Sequence, residues 1–232
     1  MSLLLWAALA ATVPEPVKRA ADLQRADARG VVAYLAEVES TFKTPVSTTH
    51  TRARRWVVSV DGDPRRAVTL ALVLNGRAAT EAERAKAQAE AEAGYADAKR
   101  QLFTPYDRRH LADYRYGPAP AEPGLAPGEQ AFAFDSPLMD ERHGHGTFVL
   151  TRDFTVRRLA FSPNRYPAPA SAGGLVLTRG PVAKGWWSLL ALSAAYTGGI
   201  GPLTGGLDLL QRCSRHQRFA SVEAALAAAP RP

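Results

Sequence analysis

Cysteine is nearly absent: Cys213 is the only one in 232 residues. No disulfide can form within one chain, so stability has to come from packing. No cysteine follows the N-terminal apolar run either, so nothing there accepts a lipid anchor. Cys213 itself reads as a small buried side chain in a strand rather than as a nucleophile. Long apolar runs are also lacking, since no stretch reaches the ~18 consecutive apolar residues of a membrane helix. Lysine is scarce, with only Lys18, Lys43, Lys86, Lys99 and Lys184 among 29 basic side chains. Catalytic motifs are missing as well. There is no Gly-x-Ser-x-Gly elbow, and Ser136 stands before Pro137 with no base placed beside it. The glycine-rich run 197–206 lacks the Lys-Ser/Thr of a phosphate loop and reads as a tight hairpin or a rim beside a cleft. Enzyme activity is therefore not the leading expectation, and no cofactor is expected.

What is present is an ordinary globular balance, 46% hydrophobic and 22% charged, which excludes wholesale disorder. The length fits one domain with an insertion. The formal net charge is +7 and almost all of the positive charge is arginine. A guanidinium forks onto carboxylate or phosphate, so an anionic lipid surface or an acidic envelope protein is a possible partner. The same bias also follows from GC-rich coding. The basic clusters Arg52/Arg54/Arg55, Arg157/Arg158 and Arg212/Arg215/Arg218 are not interleaved with exposed aromatics, so nucleic acid is not expected.

Residues 1–12 are uncharged and apolar with small residues at their end, followed by Val13, Pro14, Glu15 and Pro16. The run is too short to span a bilayer and fits a secretory signal segment. The expected location is then periplasmic or secreted, with a carrier-like α+β domain over 13–232 and no transmembrane segment in the mature chain.

Periodicity predicts a first helix over 22–38, with Leu23, Ala26, Val31, Tyr34, Leu35 and Val38 on one face. Strands are predicted over 48–60 and 68–74, joined by the turn Asp61-Gly62-Asp63-Pro64. Residues 80–102 predict an inserted helix opened by the capping box Thr80-Glu81-Ala82-Glu83. A stiff Pro/Gly loop follows at 117–130. Strands are then predicted over 130–135, 146–151, 155–162, 175–179, 187–196 and 206–213, and a short helix over 221–229 behind the Ser221 cap. The expected fold is α+β: a curved antiparallel β-sheet, an incomplete barrel, with an N-terminal helix, an inserted helix and a short C-terminal helix.

This order of elements resembles the periplasmic lipoprotein-carrier (LolA/LolB-like) superfamily. The residues that carry the likeness are the helix around Val31-Val32-Ala33-Tyr34-Leu35, the alternating strands at 68–74 and 147–161, and the run 187–219. The resemblance implies a half-closed barrel around a greasy cavity and transport of a lipidic cargo. The ligand-binding wall is then expected from Trp56, Val58, Leu70, Leu72, Phe148, Leu150, Leu159, Phe161, Leu189 and Leu192, gathered on the concave face. Two other readings stay open: a structural or partner-docking envelope module with a filled core, and an exported hydrolase or metal-dependent enzyme. For the last, His143 and His145 would face the same way on a strand, with Asp140 or Glu141 adding oxygen. Two nitrogens alone do not make a metal site, and His50, His110 and His216 show no ligand spacing, so no metal is expected.

Overall fold

Two antiparallel meanders, one unwinding outward and one returning inward, share a single sheet. The computed structural model describes residues 12–96, 102–119, 124–166, 168–200 and 203–231. The chain starts with helix α1 (Glu15–Ala28), then strands β1 (Val31–Lys43), β2 (Thr48–Val60), β3 (Asp63–Leu74) and the short β4 (Arg77–Ala78). Helix α2 (Glu81–Ala96) and a segment ending in a 3-10 turn at Leu111–Asp113 carry the chain to the opposite edge. Strands β5 (Arg115–Pro118), β6 (Gln130–Asp135), β7 (Gly144–Leu150), β8 (Val156–Pro163), β9 (Ala170–Ala183), β10 (Trp186–Ile200) and β11 (Leu203–Phe219) then return to the centre, and α3 (Val222–Ala227) ends it.

Among the described residues the sheet has 11 strands in the order β4-β3-β2-β1-β11-β10-β9-β8-β7-β6-β5. Every neighbouring pair is antiparallel. β4 and β5 remain edges, so the curved sheet does not close into a barrel. Register shifts interrupt the β1/β11, β2/β3, β7/β8 and β9/β10 ladders. Each such bulge adds local twist and bend, which curves strands this long.

The expected α+β class and curved antiparallel sheet stand, with one correction at the N-terminus. The helix expected over 22–38 lies earlier, at Glu15–Ala28, and residues 31–38 belong to β1. Pro14 caps α1 and Pro16 sits in its first turn, where a missing N–H costs nothing. Gly30 ends it with φ of +84°, a backbone angle that a side chain disfavours. Its amide donates to Asp61 Oδ1 at 2.8 Å, and its carbonyl accepts from the Asp61 amide at 2.9 Å. β1 lies between β2 and β11 with both faces buried over residues 32–36. A doubly buried strand is a continuous apolar run, which helical periodicity fits equally well. The Val31–Leu35 stretch that carried part of the family likeness is therefore a strand.

The capping box forms as expected. The Glu83 carboxylate accepts from the Thr80 amide at 2.8 Å and the Glu83 amide donates to Thr80 Oγ1 at 3.3 Å. Ser221 caps α3 through the Ala224 amide at 3.2 Å. In the glycine-rich run 197–206, the described residues form a β10/β11 hairpin with Gly198 opposite Gly205 and Ile200 opposite Leu203. The signal-like segment lies outside the described residues except for Thr12.

Candidate functional site

Register assigns each side chain to a face, because directly paired residues point the same way and neighbours along a strand point oppositely. One row of paired residues runs Leu72, Ala53, Val38, Gln211, Leu192, Leu177, Leu159, Phe148, Phe132 and Pro118, from β3 across to β5. α1 packs on part of this face. Val17 and Ala20 of α1 pack with Tyr106, Tyr114, Tyr116, Phe134, Phe148, Leu150, Leu159 and Phe161 in one core. The Tyr116 hydroxyl donates to Pro105 O at 2.6 Å, and the Tyr114 hydroxyl to Phe103 O, tying the segment after α2 to the same core. At the C-terminal end of α1, Asp27 meets Arg179 at 3.4 Å and accepts from the Trp187 amide at 3.2 Å.

The expected wall residues therefore do not line one face. Phe148, Leu150, Leu159 and Phe161 lie under α1, between 1 and 2% exposed or fully buried. Leu72 and Leu192 share that face through the paired row, and Leu189 packs beside the cluster of Tyr34, Ala36, Val57, Ala67 and Cys213. Trp56, Val58 and Leu70 lie on the other face with Ala33, Leu35 and Ala225, covered by α3. The Trp56 indole N–H donates to Ala225 O at 2.7 Å.

That other face carries a second paired row: Glu39, Leu210, Ser193, Val176, Ala160 and Thr147. Beside it run Thr41, Asp208, Ala195 and Gly174. These residues line a groove of about 660 Å³ across β1, β11, β10, β9, β8 and β7. Half of its lining residues are Gly, Ala, Ser or Val, and Ser193 and Ala195 are exposed. Small side chains produce the depression by leaving the backbone uncovered. At Gly174 an added Cβ would stand 2.8 Å from Phe161 O, so the site tolerates no larger residue without movement. Polar groups mark the two ends. Glu39 faces Arg52 at 3.6 Å and Asp208 faces Lys43 at 3.2 Å, while His145 Nδ1 pairs with Asn164 Oδ1 at 3.0 Å. Of the residues expected to form the wall, Phe161 borders this groove, although its side chain packs in the core under α1 on the opposite face.

His143 and His145 do not converge. β7 begins at Gly144, and His143 belongs to the preceding turn, where its amide donates to Asp140 Oδ1 at 2.8 Å. His143 is 4% exposed, and its ring meets His110 and Asp113 instead. His143 Nε2 lies 3.3 Å from Asp113 Oδ2, and His110 Nδ1 lies 2.8 Å from the same oxygen. One donor atom from each of His110, Asp113 and His143 lies within 4.8 Å of the other two. His143 Nδ1 is held by Asp140 at 2.8 Å. Burial raises the Asp113 carboxyl, but hydrogen bonds from His110 and His143 outweigh it and hold the group below the usual carboxylate range. No sequence spacing announces this group, because residue 143 joins 110 and 113 only through tertiary structure.

A second cavity of about 1010 Å³ lies between α1, the β2–β3 turn and residues 102–109. Its lining includes Asp22, Arg25, Arg29, Asp61, Asp63, Asp107, Arg108 and Arg109, charges of both signs. Arg108 pairs with Asp22 and Arg109 with Asp107, so much of that charge is met internally. Arg157 likewise pairs with Glu129, and Arg218 donates to the carbonyls of Asp27 and Arg29.

No helix among the described residues is long and apolar enough to cross a membrane. No protein-family model matches the chain, and no curated protein does. Solved structures do resemble it. One is a domain assigned to outer-membrane lipoprotein sorting from Vibrio parahaemolyticus, 13% identical over 89% of this chain and 94% of that one, with a TM-score of 0.37. Another is a DUF1329 family protein from Desulfovibrio piger, 11% identical over 90% and 95%, with a TM-score of 0.34. A third is the MucA/MucB complex of Pseudomonas aeruginosa, 12% identical over 89% and 99%, with a TM-score of 0.23.

Proposed function

We propose that this chain is a cell-envelope protein, periplasmic or secreted, that binds an apolar or lipid-derived ligand without chemistry. The groove across β1 and β7–β11 is the binding site in this reading. The carrying observation is that groove: about 660 Å³, with a floor of small and apolar residues and charged groups at its rim. That volume lies within the ~300–1,000 Å³ of small-molecule sites. The floor suits an acyl chain, and the polar ends suit a headgroup. Export is supported by the signal-like residues 1–12.

Affinity should then track chain length. Each buried CH₂ contributes about 0.8 kcal/mol, or roughly fourfold in affinity. Displacement of a fluorescent fatty acid by saturated acids of increasing length tests this. Ala195→Trp and Ser193→Trp place a ring in the groove from exposed positions and should abolish uptake while leaving the fold intact. Displacement that ignores chain length, or survives both substitutions, contradicts the reading.

A partner-docking module is the second reading, favoured by the face under α1. That face is filled by the chain's own side chains, with Phe134 and Phe148 fully buried within it. A chain that takes up no probe but retains an envelope protein partner fits the second reading and not the first.

A further inference from the structure

We propose that His110, Asp113 and His143 form a transition-metal site, with Zn²⁺ the best match. The three residues come from two separate stretches, the end of the segment 102–114 and the turn before β7. Folding alone brings them together, with one donor atom of each within 4.8 Å of the others. Two imidazole nitrogens and one carboxylate oxygen are a donor set suited to Zn²⁺ and poorly suited to Ca²⁺ or Mg²⁺, which take oxygens. Ligand atoms about 2.0 Å from a tetrahedral zinc stand about 3.3 Å apart. The His143–Asp113 separation is 3.3 Å, and the His110–Asp113 separation of 2.8 Å needs to open by a few tenths of an ångström.

The surrounding groups fix the would-be ligands. Asp140 accepts from His143 Nδ1 at 2.8 Å, which turns Nε2 toward Asp113, the carboxylate–histidine arrangement that orients metal ligands. Asp140 is itself anchored by the amides of Arg142 and His143, each at 2.8 Å. Ser136 Oγ donates to Asp113 O at 2.8 Å, and Phe103 stacks on His110 with ring centres 3.6 Å apart. The Arg142 guanidinium stands close, 3.5 Å from the Phe103 ring centre on this same stack. Asp113 and Asp140 supply two carboxylates against it. His145 plays no part, being paired with Asn164.

Three protein ligands leave a fourth position for a solvent or ligand oxygen, and Asp113, a third exposed in its side chain, lies on the solvent side. Bound metal would pin the segment 102–114 to the turn before β7, above the core of Tyr106, Tyr114 and Phe134.

The test is zinc titration of the EDTA-treated full chain, by calorimetry and by competition with a chromophoric chelator. One equivalent is expected in the unsubstituted protein. His110→Ala and Asp113→Asn should each weaken binding at least 100-fold, and Asp140→Asn by ~10–100-fold. His145→Ala should leave it unchanged. Co²⁺ should give the intense visible absorption of a tetrahedral site, lost in His110→Ala. Zinc should raise the melting temperature of the unsubstituted chain and not of Asp113→Asn. Both exposed-side variants are checked by far-ultraviolet circular dichroism, so a buried His143 substitution is not needed. An unsubstituted chain that binds no zinc overturns the proposal. So does one-equivalent binding that persists in both His110→Ala and Asp113→Asn.

Discussion

Asp27→Ala should unseat α1 from the sheet, and its cost follows from the burial around it. Asp27 and Arg179 are 13% and 8% exposed in their side chains, 3.4 Å apart. Arg179 Nη2 also donates to Trp187 O at 3.0 Å, and Asp27 Oδ1 accepts from the Trp187 amide at 3.2 Å. Burial pulls the Arg179 pKa down, and the nearby Tyr106 and Asp27 oppose it. Removing the carboxylate leaves a buried guanidinium without its counter-charge and an amide without its acceptor. Losing one partner of a buried pair costs ~3–5 kcal/mol. The long contact and the surviving Trp187 carbonyl bond place this case near ~3 kcal/mol. At ~2–4 °C per kcal/mol for a chain of this size, melting should fall by about 6–12 °C. Thermal and urea unfolding followed by circular dichroism measure it. Asp27→Leu combined with Arg179→Met removes both charges and should recover most of the loss. A single variant within 0.5 kcal/mol of the parent, or a double variant no better than the single, refutes the reasoning.

Three further outcomes follow from named contacts. Trp56→Phe deletes the indole donor to Ala225 O and should cost ~1–3 kcal/mol, with faster amide exchange across α3; unchanged exchange there would contradict the docking of α3 by Trp56. Cys213 is 7% exposed and burial pushes its thiol up to about 11, so a disulfide reagent at pH 8 should label it only after denaturation; rapid labelling of the native chain would count against the packing. Glu83 is held at about 2, chiefly by its hydrogen bond from Arg77 and then by the Thr80 amide. A lowered folded pKa adds stability above the unfolded value of ~4.3 that is lost as pH falls toward the folded one. The melting gap between the parent and Glu83→Gln should therefore shrink between pH 6 and pH 2, and a gap that is constant or grows would contradict the cap.

Elements with local signals were legible in the residues. β2 and β3 alternate around an Asp-Gly turn, α2 opens on its capping box, and α3 on Ser221. β1 was not, because a central strand buried on both faces carries no alternation, and its apolar run fits a helical stripe. For the same reason the first helix was expected over 22–38, running through Gly30, although Pro14, Pro16 and Gly30 mark the true ends of α1. Large apolar side chains pointed to the packed cores and so away from the groove. The groove is made where bulk is missing, at Ala160, Gly174, Ser193 and Ala195, and only the pairing of β8, β9 and β10 aligns those positions. The side chains of His110, Asp113 and His143 meet through a tertiary contact that no spacing encodes.

The central claim is that a greasy guest lies on the face away from α1. Photo-crosslinking with a diazirine-bearing fatty acid, mapped by mass spectrometry, tests it most directly. Labels on Val176, Ser193, Ala195 and Leu210 are predicted, and they should vanish with Ala195→Trp. Labels confined to Phe148, Leu159 and the α1 residues packed on them, or no saturable labelling at all, would contradict it.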